Sequence, residues 1–302
     1  MKGFASFVMR GPAQAASAAG VTLLLGFVLP PFAWLSSAVV ALVMLRLGPG
    51  AVLRMGLPAL LAAGLVGSLA WGRPLAVAVG GLTAWVPALF VAAVLRRRAR
   101  LDDALLSACA LGWIVVITTF ALIADPTSAW VDTLATLFPP ERIAAGMQGL
   151  DAAEVRELYQ RVAPLMTGVM AASVVFGAVT SVLLARWWQA LLDNPGGFQR
   201  EFHALRLGRV AAGVAAVFCG AALVAPSPML HGVALVVVAV YVFQGLAVVH
   251  GVLAARSMPT PWLVGLYVLA VILPPQVMVG LTLVGIADAW ADFRHRVAVD
   301  RS

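Results

Sequence analysis

Between Ala13 and Trp290 the chain is a succession of apolar runs of about 15–25 residues, the length that crosses a hydrocarbon core as a helix. That feature removes most folds from consideration. A water-soluble domain needs polar surface, and about a quarter of its residues are charged. Here 11% are charged and 62% are apolar over 302 residues, with a mean hydropathy of +0.99. The solvent for most of this surface is lipid. The runs are continuous rather than alternating, which excludes barrel strands and leaves helices, whose backbone groups bond within one segment. The expected fold is all-α: a polytopic transmembrane helical bundle of about eight to ten spans, forming a single integral membrane domain over residues 1–302.

Twenty basic residues, all but one of them Arg, face 13 acidic ones, for a net charge of +7. In a soluble protein that balance would suggest nucleic acid. Here the tendency of short Arg-rich loops to stay in the cytoplasm explains it, so the expected partner is the lipid bilayer and no nucleic acid is expected. Arg46 and Arg54 flank a Gly48-Pro49-Gly50 turn, and Arg96-Arg97-Arg98-Ala99-Arg100 is the firmest cytoplasmic marker. Hairpins counted from it place a polar segment at 125–162 outside, where six acidic residues outnumber three Arg. They place a second polar segment, 186–209, inside. Lys2 and Arg10 interrupt the amino-terminal region, so no cleaved signal peptide is expected and the first span is retained.

Leu-Pro-Pro occurs at residues 29–31 and 273–275, each time between apolar half-segments. Proline removes a donor and clashes with the preceding turn. The stretch Trp262–Trp290 is therefore expected to be a broken hairpin of two short helices, with both termini cytoplasmic. A single kinked span with an external tail is the alternative. The external segment has its own organisation. Ser128 is placed to cap a helix carrying Trp130, Val131, Leu134, Leu137 and Phe138 on one face, ended by Pro139-Pro140. Asp151-Ala-Ala-Glu154 has the spacing of a capping box, and Glu157 to Arg161 is an i,i+4 pair. Together they predict an external cap of two short helices.

Residues able to carry chemistry are few. A charge at a span centre costs at least about 2.5–3.5 kcal/mol and survives mainly where it functions, and no span centre holds one. Gln244 is the most deeply placed strong hydrogen-bonder. Asp288 sits near the cytoplasmic end of the last segment, within reach of water. These two are the candidate polar site. No Ser-His or paired-Asp spacing supports catalysis, and four scattered His with two isolated Cys, Cys109 and Cys219, form no ligand set. No phosphate-binding Gly-rich loop is present. No enzyme, cofactor or metal is expected. Near the amino terminus, Ala15 and Ala19 make a small-x-x-x-small pair suited to close helix approach, within the chain or between chains.

The segment 186–209 is the most specific part of the sequence. Asp193-Asn194-Pro195-Gly196-Gly197 is a strong turn. After it, Phe198, Phe202 and Leu205 form one apolar stripe, edged by Arg200, His203, Arg206 and Arg209. Such a stripe suits a helix lying in the membrane interface, and Trp187 and Trp188 suit an interfacial aromatic belt. The segment reads either as a loop anchoring two spans or as a docking element for a partner. Its docking candidates are Trp187, Trp188, Asn194, Pro195, Gly196, Gly197, Phe198, Phe202 and Arg206.

The run Asn194-Pro-Gly-Gly-Phe-x-x-Glu201-Phe-His-x-Leu-Arg206, with Gln244-Gly-Leu-Ala247 and Leu283-Val-Gly-Ile-Ala-Asp288-x-x-x-Asp292-Phe-Arg294, resembles the YybS-like family. That family comprises bacterial inner-membrane proteins without an assigned activity, and its architecture is distantly similar to the substrate-binding S-components of energy-coupling-factor vitamin transporters. The resemblance implies a multi-pass protein of the bacterial inner membrane. It also implies a transport-related role: a small, mostly neutral solute bound between spans near the outer cap, with a membrane or ATPase partner docking on the 186–209 connector. S-components meet their membrane partner through small residues on the first helix, a role open to Ala15 and Ala19. A non-transporting scaffold for cell-envelope or regulatory proteins is the alternative.

Overall fold

In the computed structural model, which describes residues 1–72, 74–146, 149, 151–294 and 296, all regular structure is helical. A short α1 (Lys2–Val8) precedes α2 (Pro12–Gly26), α3 (Pro31–Leu47), α4 (Pro49–Trp71), α5 (Pro74–Arg98) and α6 (Leu101–Leu122). The cap holds α7 (Pro126–Leu137), α8 (Pro140–Gly146) and the start of α9 (Ala152–Asp193). The connector holds α10 (Gly197–His203). The chain closes with α11 (Arg209–Val224), α12 (Pro228–Ala255), α13 (Pro261–Ile272) and α14 (Pro274–Ala291). The carboxyl terminus, expected to be cytoplasmic, falls on residues outside that description.

Nine of these helices begin on proline, which shows how the chain meets lipid. The first N–H groups of a helix have no partner within it, and in hydrocarbon an unpaired one is costly. Proline has no N–H and a preset φ, so it starts a helix without leaving that debt. The tandem prolines act this way: Pro31, Pro140 and Pro274 each open a new helix.

α9 is the mast of the bundle, 42 residues or about 63 Å at 1.5 Å per residue. It packs against α3, α5, α6 and α12 within the bundle and against α7 at the cap. Its start is the expected capping box: Asp151 accepts from the Glu154 N–H, and Glu154 accepts from the Asp151 N–H, each at 2.8 Å. The second cap helix is not short, however. Nothing after Asp151 ends it, and the lone Pro164 is absorbed within the helix. The first cap helix starts three residues earlier than expected: Asp125, not Ser128, is the cap, accepting from the Ser128 N–H at 3.0 Å. Trp130 Nε1 donates to Thr167 Oγ1 at 2.9 Å and the Tyr159 hydroxyl to the Phe138 carbonyl at 2.7 Å, pinning the cap to the mast.

Polar groups tie the remaining helices together, as expected where lipid supplies no hydrophobic drive between them. Ser36 donates to the Ala19 carbonyl at 2.8 Å and accepts from Trp85 Nε1 at 2.9 Å, joining α2, α3 and α5. Ala15 and Ala19 are 2% and 0% exposed. Their small face packs inside the chain, where α2 meets α3 and α4. Arg96 on α5 donates to the last carbonyls of α3, Met44 and Leu45, at 3.0 and 2.7 Å.

Five helices, α4, α5, α6, α9 and α12, are long and apolar enough to cross a membrane. The other apolar segments are shorter, and α13, with 12 residues, reaches only about 18 Å. α13 and α14 form the broken hairpin expected around Pro274-Pro275, jointed at Leu273. α12 and α14 run parallel, since Thr282 reaches the Val238 carbonyl and Gln244 reaches Gly285. Their axes approach most closely where a Cβ on Gly245 would lie 2.0 Å from the Leu281 carbonyl oxygen, a backbone atom that cannot step aside. Gly245→Ala is expected to destabilise the bundle at the upper end of about 1–3 kcal/mol. Unfolding of the reconstituted protein by a denaturing detergent measures this.

The connector clamp and the cavity beneath it

The Arg-rich ends of the helices gather at one end of the bundle. Arg46 on α3 pairs with Asp193 at the end of α9 at 2.8 Å, and Arg186 on α9 pairs with Glu201 on α10 at 2.8 Å. The segments around Asn194, Gln244 and Asp288 converge there, although 86 to 91 residues separate several of the contacting groups. Arg294 is the centre of this convergence. Its Nη1 donates to the carbonyls of His203 and Leu205 at 2.6 and 2.9 Å, and its Nη2 to Asp288 at 2.6 Å. Asp288 also accepts from the Phe293 N–H at 3.1 Å.

One turn deeper, the Gln244 carboxamide accepts from the Leu207 N–H at 2.8 Å and donates to the Gly285 carbonyl at 2.7 Å. Arg206 pairs with Asp292, and Arg209 Nε donates to the Ala289 carbonyl at 3.1 Å. The connector is thus bonded to α12 and α14 through its backbone as well as its side chains.

Beneath α10 lies a cavity of about 710 Å³, roughly twice the volume of the apolar hollow at Trp34, Gly80 and Met170 (330 Å³). Its walls come from α9, α10, α12 and a single residue of α13, Tyr267. The Phe198 and Phe202 rings stack at 5.8 Å, and Phe202 meets His250 edge-on at 6.0 Å. His250 Nδ1 lies 2.9 Å from the Leu246 carbonyl, so that nitrogen carries the proton. The ring's Nε2 lies 3.3 Å from the Tyr267 hydroxyl. His203 stands 6.2 Å from His250, ring to ring. Burial holds the His203 imidazole below its ordinary pKa, with His250 and Arg294 adding to the effect.

The sequence candidates divide accordingly. Gln244 and Asp288 are 1% and 2% exposed, and water does not reach Asp288, which Arg294 covers. Trp188 is fully buried against Phe4, at 5.3 Å, and is a core residue rather than part of an interfacial belt. Trp187, Phe198 and Phe202 line the cavity, so the apolar stripe turns inward, because the cavity walls offer it aromatic neighbours. Asn194, Pro195, Gly196 and Arg206 stay exposed on the connector's outer side. Gly197 is half-buried behind the Asn194 side chain. Sequence reasoning missed Tyr267 and Phe243, whose runs are apolar on every side. It named Arg294 only as part of a motif, although a lone Arg beyond a span's last Asp was the available signal. No protein-family model, curated protein or solved structure matches the chain, so the functional reading rests on this geometry.

Removing one partner of a buried ion pair leaves the other charge uncompensated, at about 3–5 kcal/mol. Asp288→Asn is expected to cost stability in that range and to release the connector, seen as protease cleavage within 194–197. The sign for His203 follows from its lowered pKa. The unfolded chain takes up the proton first, so the contribution of neutral His203 is complete above about pH 6.5 and declines as pH falls below it. The protection factor of α10 against hydrogen exchange, in which the intrinsic slowing of exchange toward acid cancels, is expected to fall on going from about pH 7.5 to about pH 5.5. His203→Gln should flatten that dependence.

Proposed function

We propose that this is a multi-pass protein of the bacterial inner membrane that binds a small, mostly neutral solute in the connector cavity, as part of a transport process. The observation that carries the reading is the cavity itself. About 710 Å³ falls within the roughly 300–1,000 Å³ of ligand sites, and aromatic walls with a few convergent polar groups are their usual lining. The solute then sits at the Arg-rich end of the bundle rather than near the cap. The excess of Arg at that end supports a cytoplasmic orientation for it.

The clamp supports coupling between solute and connector. α10 forms one cavity wall and is held by Arg294, so occupancy bears directly on the segment a cytoplasmic partner would meet. The exposed side of that segment is polar, with Asn194, Arg200 and Arg206. A partner supplying energy would recognise these groups rather than the Phe stripe.

A bound solute raises stability by RT ln(1 + [L]/Kd), about 2.7 kcal/mol at a hundred times Kd. Hexoses, nucleosides and monoacylglycerols, applied separately to the protein in lipid nanodiscs, provide the test. At least one class is expected to raise the unfolding temperature of the wild type and not of Ala190→Trp, which fills the cavity from α9. Equal shifts in both proteins, or none with any class, would sink the assignment.

A further inference from the structure

The connector cavity is graded in polarity along its length. On α9 its wall runs from Leu183 to Leu191, and on α12 from Phe243 to His250, each about 10–12 Å at 1.5 Å per residue. The deep end is Leu183, Phe243 and Leu246, with no polar side chain among them. The connector end holds Gln199, His203 and His250. Gln199 carries no charge, and burial holds the His203 ring below its ordinary pKa.

Arg294 is committed to Asp288 and two carbonyls and Arg206 to Asp292, and the described lining residues include no Lys, Arg, Asp or Glu. A charged head group would find no free counter-charge among the groups that line the cavity. Among the described residues, α13 contributes only Tyr267 to the lining, and this helix has no buried residue. Trp262, Val264, Val268 and Val271 are exposed on that helix, as befits a lipid-facing element.

A hollow with an apolar deep end, a neutral hydrogen-bonding end at the interface and one thin helix between it and lipid matches a molecule of the same polarity. We propose that the solute is an amphiphile: a single apolar chain against Leu183, Phe243 and Leu246, with an uncharged hydroxyl- or carbonyl-bearing head at Gln199, His203 and His250. It enters from the bilayer past α13, where the Tyr267–His250 hydrogen bond is the latch. This inference rests on the reading of the cavity as a solute site and names the class of solute.

The test uses the full chain in phosphatidylcholine nanodiscs. The probe is a monoacylglycerol with a photoactivatable diazirine at its chain end. Illumination is expected to label α9 or α12 near Leu183 and Leu246, and excess unlabelled monoacylglycerol to compete. Leu246→Trp, which fills the deep end, is expected to cut that labelling at least ~10-fold. Ala190→Trp blocks the cavity from the other end and serves if Leu246→Trp does not fold. His250→Phe keeps the ring but removes the head-group bonds, and is expected to weaken competition. Labelling confined to lipid-facing positions of α4 and α5, unchanged by either filling variant, would overturn the proposal. Stabilisation by a hexose or nucleoside without site-specific labelling would also overturn it, while leaving the solute-binding reading intact. Absence of both effects would remove the two readings together.

Discussion

Burying a carboxylate and a guanidinium costs several kcal/mol per ion in lost hydration, and their attraction repays this only when the remaining hydrogen-bonding positions are also filled. Arg294 and Asp288 come close to that condition. Two backbone carbonyls and an N–H complete the pair, and only Arg294 Nε is left without a partner. The partners come from the connector, so the pair is satisfied only when α10 is seated. The connector's position, the inward turn of Phe198 and Phe202 and the roof of the cavity all follow from that requirement. A neutral pair at the same place would hold the loop less firmly, because the carbonyls of His203 and Leu205 would lose a charged donor.

The same accounting of unpaired groups governs the helices. In hydrocarbon a free N–H or carbonyl is the main liability, and the chain answers it with proline at helix starts and with side chains reaching across to carbonyls. Arg96 closing the end of α3 and Trp113 donating to the Val233 carbonyl at 3.2 Å are examples. The close parallel approach of α12 and α14 at Gly245 and Gly285 belongs to this logic too. It brings Gln244 near enough to serve α14 and the connector with one carboxamide.

Much of the fold could be read from the sequence because lipid imposes a simple rule on run length and turn residues. The break at Pro274-Pro275, the capping box at Asp151 and the Glu157–Arg161 pair at 2.5 Å all stand as local patterns predict. What local patterns do not carry is direction. Phe198 and Phe202 show the same stripe whether they face lipid or a cavity, and the difference lies in α12 residues some 50 positions away. Trp188 looks interfacial by its place beside a cytoplasmic loop, yet α1 folds back to cover it with Phe4. Asp288 appears solvated until Arg294, beyond the helix end, returns over it. The site was therefore legible residue by residue but not as a shared hollow.

The brevity of α13 has a consequence for the membrane itself. A helix of about 18 Å bordering a hydrocarbon core of about 30 Å creates a hydrophobic mismatch on one side of the protein. Surrounding lipids meet it by thinning locally, at a modest cost for each ångström. Acyl chains beside Tyr267 are then shortened and disordered relative to the bulk leaflet, and the head-group layer dips toward the mouth of the cavity. α13 is the shortest of the three short apolar helices, so such thinning is expected to be greatest on its side of the protein.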